Sequence, residues 1–128
     1  MKLLLDTHAF LWFITGDKRL SASAVASIRD PHNDAFLSVA AVWEAIIKYH
    51  LGKLPLPQSP EIYLPQQRLN HNIETLPIDE AALGFLPKIP ALHRDPFDRI
   101  MICQALHHGL TIVTVDSAII AYPVSAIS

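Results

Sequence analysis

The sequence holds one cysteine, four glycines and no long apolar run. With Cys103 alone, an intrachain disulfide framework is excluded, and a reducing, cytoplasmic setting is expected. No stretch approaches the ~18 consecutive apolar residues of a membrane helix, and three leucines after Met1-Lys2 are too few for a secretory leader. An excess of positive charge is also missing. Ten Lys and Arg against twelve Asp and Glu give a formal charge of −2, which excludes nucleic-acid binding through bulk charge but not through a local basic rim or a metal-assisted site. The seven histidines form no HExxH pair and no Cys/His ligand spacing, so zinc is not expected.

What is present is apolar. The 128 residues are 51% hydrophobic and 17% charged, enough for one core and one domain spanning residues 1–128, and incompatible with overall disorder. A mean hydropathy of +0.28 is high for a soluble monomer of this size, and predicts apolar surface covered by a partner or a second copy.

Strand-like and helix-like segments alternate. Leu3-Leu4-Leu5, Ala35 to Ser38, Ile73 to Leu76 and Thr111 to Val115 read as strands, with an edge strand between Val124 and Ile127. Helices are expected from His8 to Ile14, from Ser21 or Ser23 to about Asp30, from Glu61 to Asn70 across Pro65, and from an Asp79 cap to Phe85. The clearest helix carries Val39, Val42, Trp43, Ile46, Ile47 and Leu51 in one apolar stripe. Asp95-Pro96 opens another, which runs to His107 or His108 and stops at Gly109. This alternation predicts an α/β sandwich around a mostly parallel sheet.

The acids fall at informative places. Two strands end alike, in Asp6-Thr7 and Asp116-Ser117, and ligand sites of open α/β sheets lie beyond the carboxyl ends of strands. Each aspartate is equally suited to cap the next helix. Glu44 borders the apolar stripe beside Ala40, Ala41 and Ala45; the simple alternative is an exposed pair with Lys48 four residues on. Asp98 lies in the first turn of an apolar helix, where it needs a partner: Arg94, Arg99, a capping arrangement with Asp95, or a metal ion. Two unpaired carboxylates 4 Å apart repel by about 4 kcal/mol at an effective dielectric near 20. A gathering of Asp6, Glu44, Asp98 and Asp116 must therefore take up protons or cations. Hard oxygen donors favour Mg²⁺ or Mn²⁺, and metal-assisted phosphodiester hydrolysis is the natural chemistry.

The segments LLLDTHAFLW (Leu3–Trp12), LSVAAVWEAIIKYHLGKLPLP (Leu37–Pro57), HRDPFDRIMICQA (His93–Ala105) and GLTIVTVD (Gly109–Asp116) resemble PIN-domain proteins of the VapC type, the toxin half of toxin–antitoxin pairs. The resemblance spans essentially the whole chain. It implies a PIN-like three-layer α/β/α sandwich and an endoribonuclease using one or two Mg²⁺ or Mn²⁺ ions to cut tRNA or rRNA. It also implies a homodimer held inactive by an antitoxin. By position, Asp6, Glu44, Asp98 and Asp116 correspond to the family's metal-holding catalytic acids, with Glu44 as ligand or base. Ser38 and Asp95 are supporting groups, Asp95 as cap or outer-shell acid. Lys48, Lys53, Arg94 and Arg99 are candidates for a basic rim, Arg99 foremost because it adjoins Asp98. Trp12 and Trp43 suit packing or an interface more than base stacking. His107-His108 suits a helix C-terminus.

Other classes fit less well. A phosphoacceptor signalling domain needs adjacent acids after its first strand, where Thr7 follows Asp6, and a lysine after its last core strand. A phosphatase with an aspartate nucleophile needs a second acid where His8 stands. A non-catalytic PIN-like interaction module would be expected to have lost one of the acids.

Overall fold

The computed structural model describes residues 1–92 and 95–128. In chain order its elements are β1 (Lys2–Leu5), α1 (Thr7–Thr15), α2 (Ala22–Arg29), β2 (Asp34–Ser38), α3 (Val39–His50), α4 (Pro60–Asn70), β3 (Glu74–Leu76), α5 (Glu80–Leu83), a 3₁₀ turn (Leu86–Lys88), α6 (Pro96–His108), β4 (Thr111–Val113), α7 (Ser117–Ile120) and β5 (Ala126–Ile127).

The strands form one sheet in the order β3-β2-β1-β4-β5, and every pairing is parallel. The three leucines of β1 have no exposed surface, as befits the middle strand of a sheet covered on both faces. The chain winds outward from β1 through β2 to β3, then returns to β4 on the other side of β1. The order therefore reverses between β1 and β4, the place where parallel sheets leave a crevice at their carboxyl ends. Leu5 is in register with Val113 and with Leu37, so Asp6 and Thr114, just past their strands, sit beside Ser38, the last residue of β2. β4 stops at Val113, two residues short of expectation, because β1 has already ended and Asp6 turns into α1.

Ser21, not Ser23, caps α2, accepting from Ala24 N at 3.1 Å. The helix containing Pro65 is continuous over Pro60–Asn70. An interior proline costs an isolated helix about 3 kcal/mol; here Pro60 starts the helix and the fully buried Leu64 holds it against the core.

The apolar stripe of α3 corrects the usual reading of such a pattern. Most of it faces outward: Val39 is 42% exposed, Trp43 51%, Ile47 40% and Leu51 62%, while Val42 and Ile46 are half-buried and Val42 packs against the core. The inward face is Ala40, Ala41, Glu44 and Ala45. Small side chains let α3 approach the sheet and α6 closely, and the bulky row is left for solvent or a partner.

Candidate active site

Each acid is placed by a helix cap or a strand end. Asp6 terminates β1 and caps α1, its Oδ1 accepting from Ala9 N at 2.7 Å. Its Oδ2 accepts from the Thr114 hydroxyl. That hydroxyl also accepts from Asp116 N at 3.0 Å, so one threonine ties the ends of β1 and β4 together. Asp116 caps α7, accepting from Ala118 N at 2.9 Å. Capping and convergence thus coexist, and the two uses of these aspartates are not alternatives.

Glu44 is buried because the alanine face of α3 turns inward. Its Oε1 accepts from Thr7 Oγ1 at 2.5 Å and its Oε2 from Lys48 Nζ at 2.8 Å. The expected Glu44–Lys48 pair forms, but inside the cleft rather than on the surface. Asp95 caps α6, accepting from Phe97 N at 2.9 Å and Asp98 N at 3.3 Å. Carboxylate oxygens of Glu44, Asp95 and Asp98 lie within 4.8 Å of one another. Asp98 is 9% exposed.

A cleft of about 200 Å³ collects these groups. Among the described residues, five carboxylates line it (Asp6, Glu44, Asp95, Asp98 and Asp116) against one ammonium, Lys48. Burial pushes the Asp6 carboxyl above its ordinary range, and the Asp116 charge adds to this; the bonds from Thr114 and Ala9 and the nearby His8 oppose it. For Lys48, burial alone would lower the pKa, yet the Glu44 carboxylate and the charges of Asp95 and Asp98 outweigh it and raise it. The donor set is all oxygen and close-set, with Asp6, Glu44 and Asp98 buried, which fits a hard divalent ion.

The sequence assignments divide as follows. Asp6, Glu44, Asp98, Asp116, Asp95 and Lys48 meet in the cleft. Ser38 lies beneath it, fully buried, capping α3 and donating to Gln104 Oε1 at 2.6 Å. Arg99 does not line the cleft: its guanidinium donates to Pro90 O at 3.0 Å, Tyr122 OH at 3.2 Å and Leu86 O at 3.4 Å. Neighbours on a helix point about 100° apart, so adjacency to Asp98 turned Arg99 away. Arg94 lies outside the described residues. Trp12 borders the cleft with His8 stacked on it at 5.8 Å and the Arg19 guanidinium 4.9 Å from its ring centre. Thr7 and Thr114 were missed. Their only sequence signal is a hydroxyl within two residues of a strand-end aspartate.

Asp6 yields a prediction. A carboxyl whose pKa is raised by folding binds more protons in the folded state, between its ordinary pKa and the raised value. Its contribution to stability therefore falls as pH rises through that window, and at neutral pH its charge opposes folding. Asp6→Asn retains an oxygen for Ala9 N and an amide for Thr114. In chelator, thermal melts should place this variant above wild type at neutral pH. The gap should close as pH drops toward the ordinary carboxylate range. A variant less stable at every pH would mean that the lost hydrogen bond outweighs the burial of the charge.

Fold and cleft together define a parallel α/β domain with an acidic site at its switch point. The chain belongs to the PIN-domain family, which it matches over residues 3–124. It is similar to ribonuclease VapC16 of Mycobacterium tuberculosis, 39% identical over 67 residues, a match covering 49% of this chain and 48% of that protein. Ribonuclease VapC22 of the same organism is 27% identical over 119 residues, 89% of this chain and 86% of that one. The first match thus spans about half of its relative, the second most of it. Among solved structures, VapBC2 from Rickettsia felis, bound to a DNA fragment from its promoter, has a chain that superposes with a TM-score of 0.74. That match is 13% identical and covers 99% of this chain and 98% of that one.

Proposed function

We propose that this protein is a Mg²⁺- or Mn²⁺-dependent endoribonuclease, the toxin of a toxin–antitoxin pair. One observation carries the reading: five carboxylates gathered in one cleft at the switch point of a PIN domain. The relatives named as ribonucleases point the same way. A non-catalytic module or a phosphoacceptor domain has no use for so many carboxylates in one cleft.

Asp6, Asp98, Asp116 and Glu44 would hold one or two ions, with Asp95 beside them. A bound divalent ion neutralises phosphate charge and lowers the pKa of water. The chain's own contribution is position. Thr114 fixes Asp6, while Thr7 and Lys48 hold the two oxygens of Glu44. Lys48 is the cation available in the cleft, among the described residues, to meet a phosphate. The substrate is a single-stranded loop of tRNA or rRNA, and the products carry 5′-phosphate and 3′-hydroxyl ends. Action is cytoplasmic, where such RNA lies; no helix among the described residues is long and apolar enough to cross a membrane.

The antitoxin is a partner that covers apolar surface beside the acids. The exposed row of α3 supplies it: Ile47 and Leu51 line a groove with Pro96 and Phe97 that shares Glu44, Lys48 and Asp95 with the cleft. A segment lying there would shut the site. Homodimerisation completes the proposal, and sedimentation across a concentration series should show a dimer; monomer throughout would remove that part.

The test is digestion of total cellular RNA by antitoxin-free protein with added Mg²⁺ or Mn²⁺. Discrete fragments that disappear with chelator are expected, with ends as stated. Intact RNA after incubation with folded, metal-binding protein would overturn the proposal.

A further inference from the structure

We propose that Asp79, His107 and His108 form a second metal site, for a borderline transition-metal ion such as Zn²⁺, at the far end of α6 from the acidic cleft. This goes beyond the nuclease reading and does not rest on it.

The geometry is that of ligands sharing an ion. Asp79 Oδ2 lies 3.6 Å from His107 Nε2 and 3.4 Å from His108 Nε2. One ligand atom from each of the three residues falls within 4.8 Å of the others. These separations are long for charge-assisted hydrogen bonds, which run to about 2.7–2.9 Å. They match a tetrahedral ion with bonds of about 2.0–2.1 Å, which sets its ligands roughly 3.4 Å apart.

Asp79 behaves as a ligand rather than as a cap. It occupies the N-cap position of α5, where an aspartate is expected to accept from the helix, yet its side chain makes no capping bond. Its Oδ1 is buried and has no hydrogen-bond partner among the described residues. Its other oxygen, Oδ2, is the one that faces the two imidazoles, and a carboxylate left half unpaired beside them is costly unless something positive joins the group.

The three groups are held before any ion arrives. Gln104, fully buried, donates to Pro77 O at 3.1 Å and so pins the segment leading to Asp79 against α6. His107 and His108 lie three and four residues further along α6 and share that side of the helix. Their side chains are about one-third exposed (33% each) and that of Asp79 is 41% exposed, so an ion has an entry path and room for a solvent ligand.

The donor set separates this site from the cleft. Two imidazole nitrogens and one carboxylate favour Zn²⁺, Ni²⁺, Co²⁺ or Cu²⁺, whereas the cleft offers oxygen alone. Asp98 and His107 are nine residues apart on one helix, roughly 13 Å at 1.5 Å per residue, so the sites are distinct. The absence of an HExxH or Cys/His spacing hid this cluster, because its third ligand comes from the connection between β3 and α5. A bound ion would clip that connection to the C-terminus of α6.

The test is titration of the chelator-treated full chain with Zn²⁺ by calorimetry and with Co²⁺ by visible absorption. Wild type and Asp98→Asn should both bind at this site. His107→Ala and His108→Ala should lose at least about tenfold in affinity, the scale on which even outer-shell changes act. In the Asp98→Asn background, which weakens the cleft, Zn²⁺ should raise the melting temperature, and adding His107→Ala or His108→Ala should remove that rise. A readout without substitution guards against misfolded variants: Zn²⁺ should protect His107 and His108, but not the 92%-exposed side chain of His32, from diethyl pyrocarbonate. Unchanged affinity in both histidine variants, or equal labelling with and without Zn²⁺, would overturn the proposal.

Discussion

Asp98→Asn should leave the protein folded and reduce RNA cleavage by at least about 10²-fold, the upper range for disturbing even an outer-shell group of a metal site. Asp98 is almost buried, and its carboxylate belongs to the triplet with Glu44 and Asp95. Asparagine keeps the shape and one oxygen but removes the charge. The fold should survive because α6 is capped by Asp95, not by Asp98. In chelator the variant should melt at or above wild type, since one of the mutually repelling charges is gone. With Mg²⁺ the order should reverse, because only wild type gains from binding. Asp95→Asn separates two roles: asparagine still caps, so stability should hold, and a smaller loss of cleavage would make Asp95 an outer contributor to the charge of the cleft. Full cleavage by Asp98→Asn, with chelator still inhibiting wild type, would move the metal away from this triplet.

The parallel sheet and the placing of Asp6 and Asp116 at its carboxyl edge were legible because both rest on short-range chemistry. A continuous leucine run names a doubly covered strand, and a strand ending in an acid names its carboxyl edge. Glu44 was harder. Periodicity drew attention to Val39, Val42, Trp43, Ile46, Ile47 and Leu51, yet of these only Val42 and Ile46 are half-buried and the core took the alanines beside Glu44. Which face of an amphipathic helix turns inward depends on how closely its neighbours must approach, and that distance is a property of the assembled fold. The placement of Arg99 outside the cleft lining has a similar reason. Sequence adjacency suggested proximity to Asp98, while helical geometry sent its side chain to the carbonyls of Leu86 and Pro90. Thr7 and Thr114 could not be singled out, since hydroxyls are ordinary company for helix caps. The outward row of α3 does agree with the high mean hydropathy, which already called for covered apolar surface.

Gln104→Leu should destabilise the protein by about 3 kcal/mol, roughly 10 °C in melting temperature for a domain of this size. Gln104 is a lone amide in the apolar stretch of α6 and has no exposed surface. Its Oε1 accepts from Ser38 Oγ at 2.6 Å, and its Nε2 donates to Pro77 O at 3.1 Å. Ser38 Oγ accepts in turn from Ala40 N at 3.0 Å. One side chain thus joins the cap of α3, which carries Glu44, to α6, which carries Asp98, and to the connection that carries Asp79. Leucine fills the space but leaves the Ser38 hydroxyl and the Pro77 carbonyl unpaired in a dry interior, at about 1–3 kcal/mol each. Added apolar contact offsets part of that. Ser38→Ala should cost about 0.5–2 kcal/mol as a lost cap, and combined with Gln104→Leu it should cost less than the sum, because the second change removes a partner already orphaned. A coupling of about 1 kcal/mol or more in that double-mutant cycle is expected from groups in direct contact. Additive effects would mean that the cap of α3 and the seating of α6 are independent. Coupled ones make Gln104 the joint through which two helices bring their acids to the same cleft.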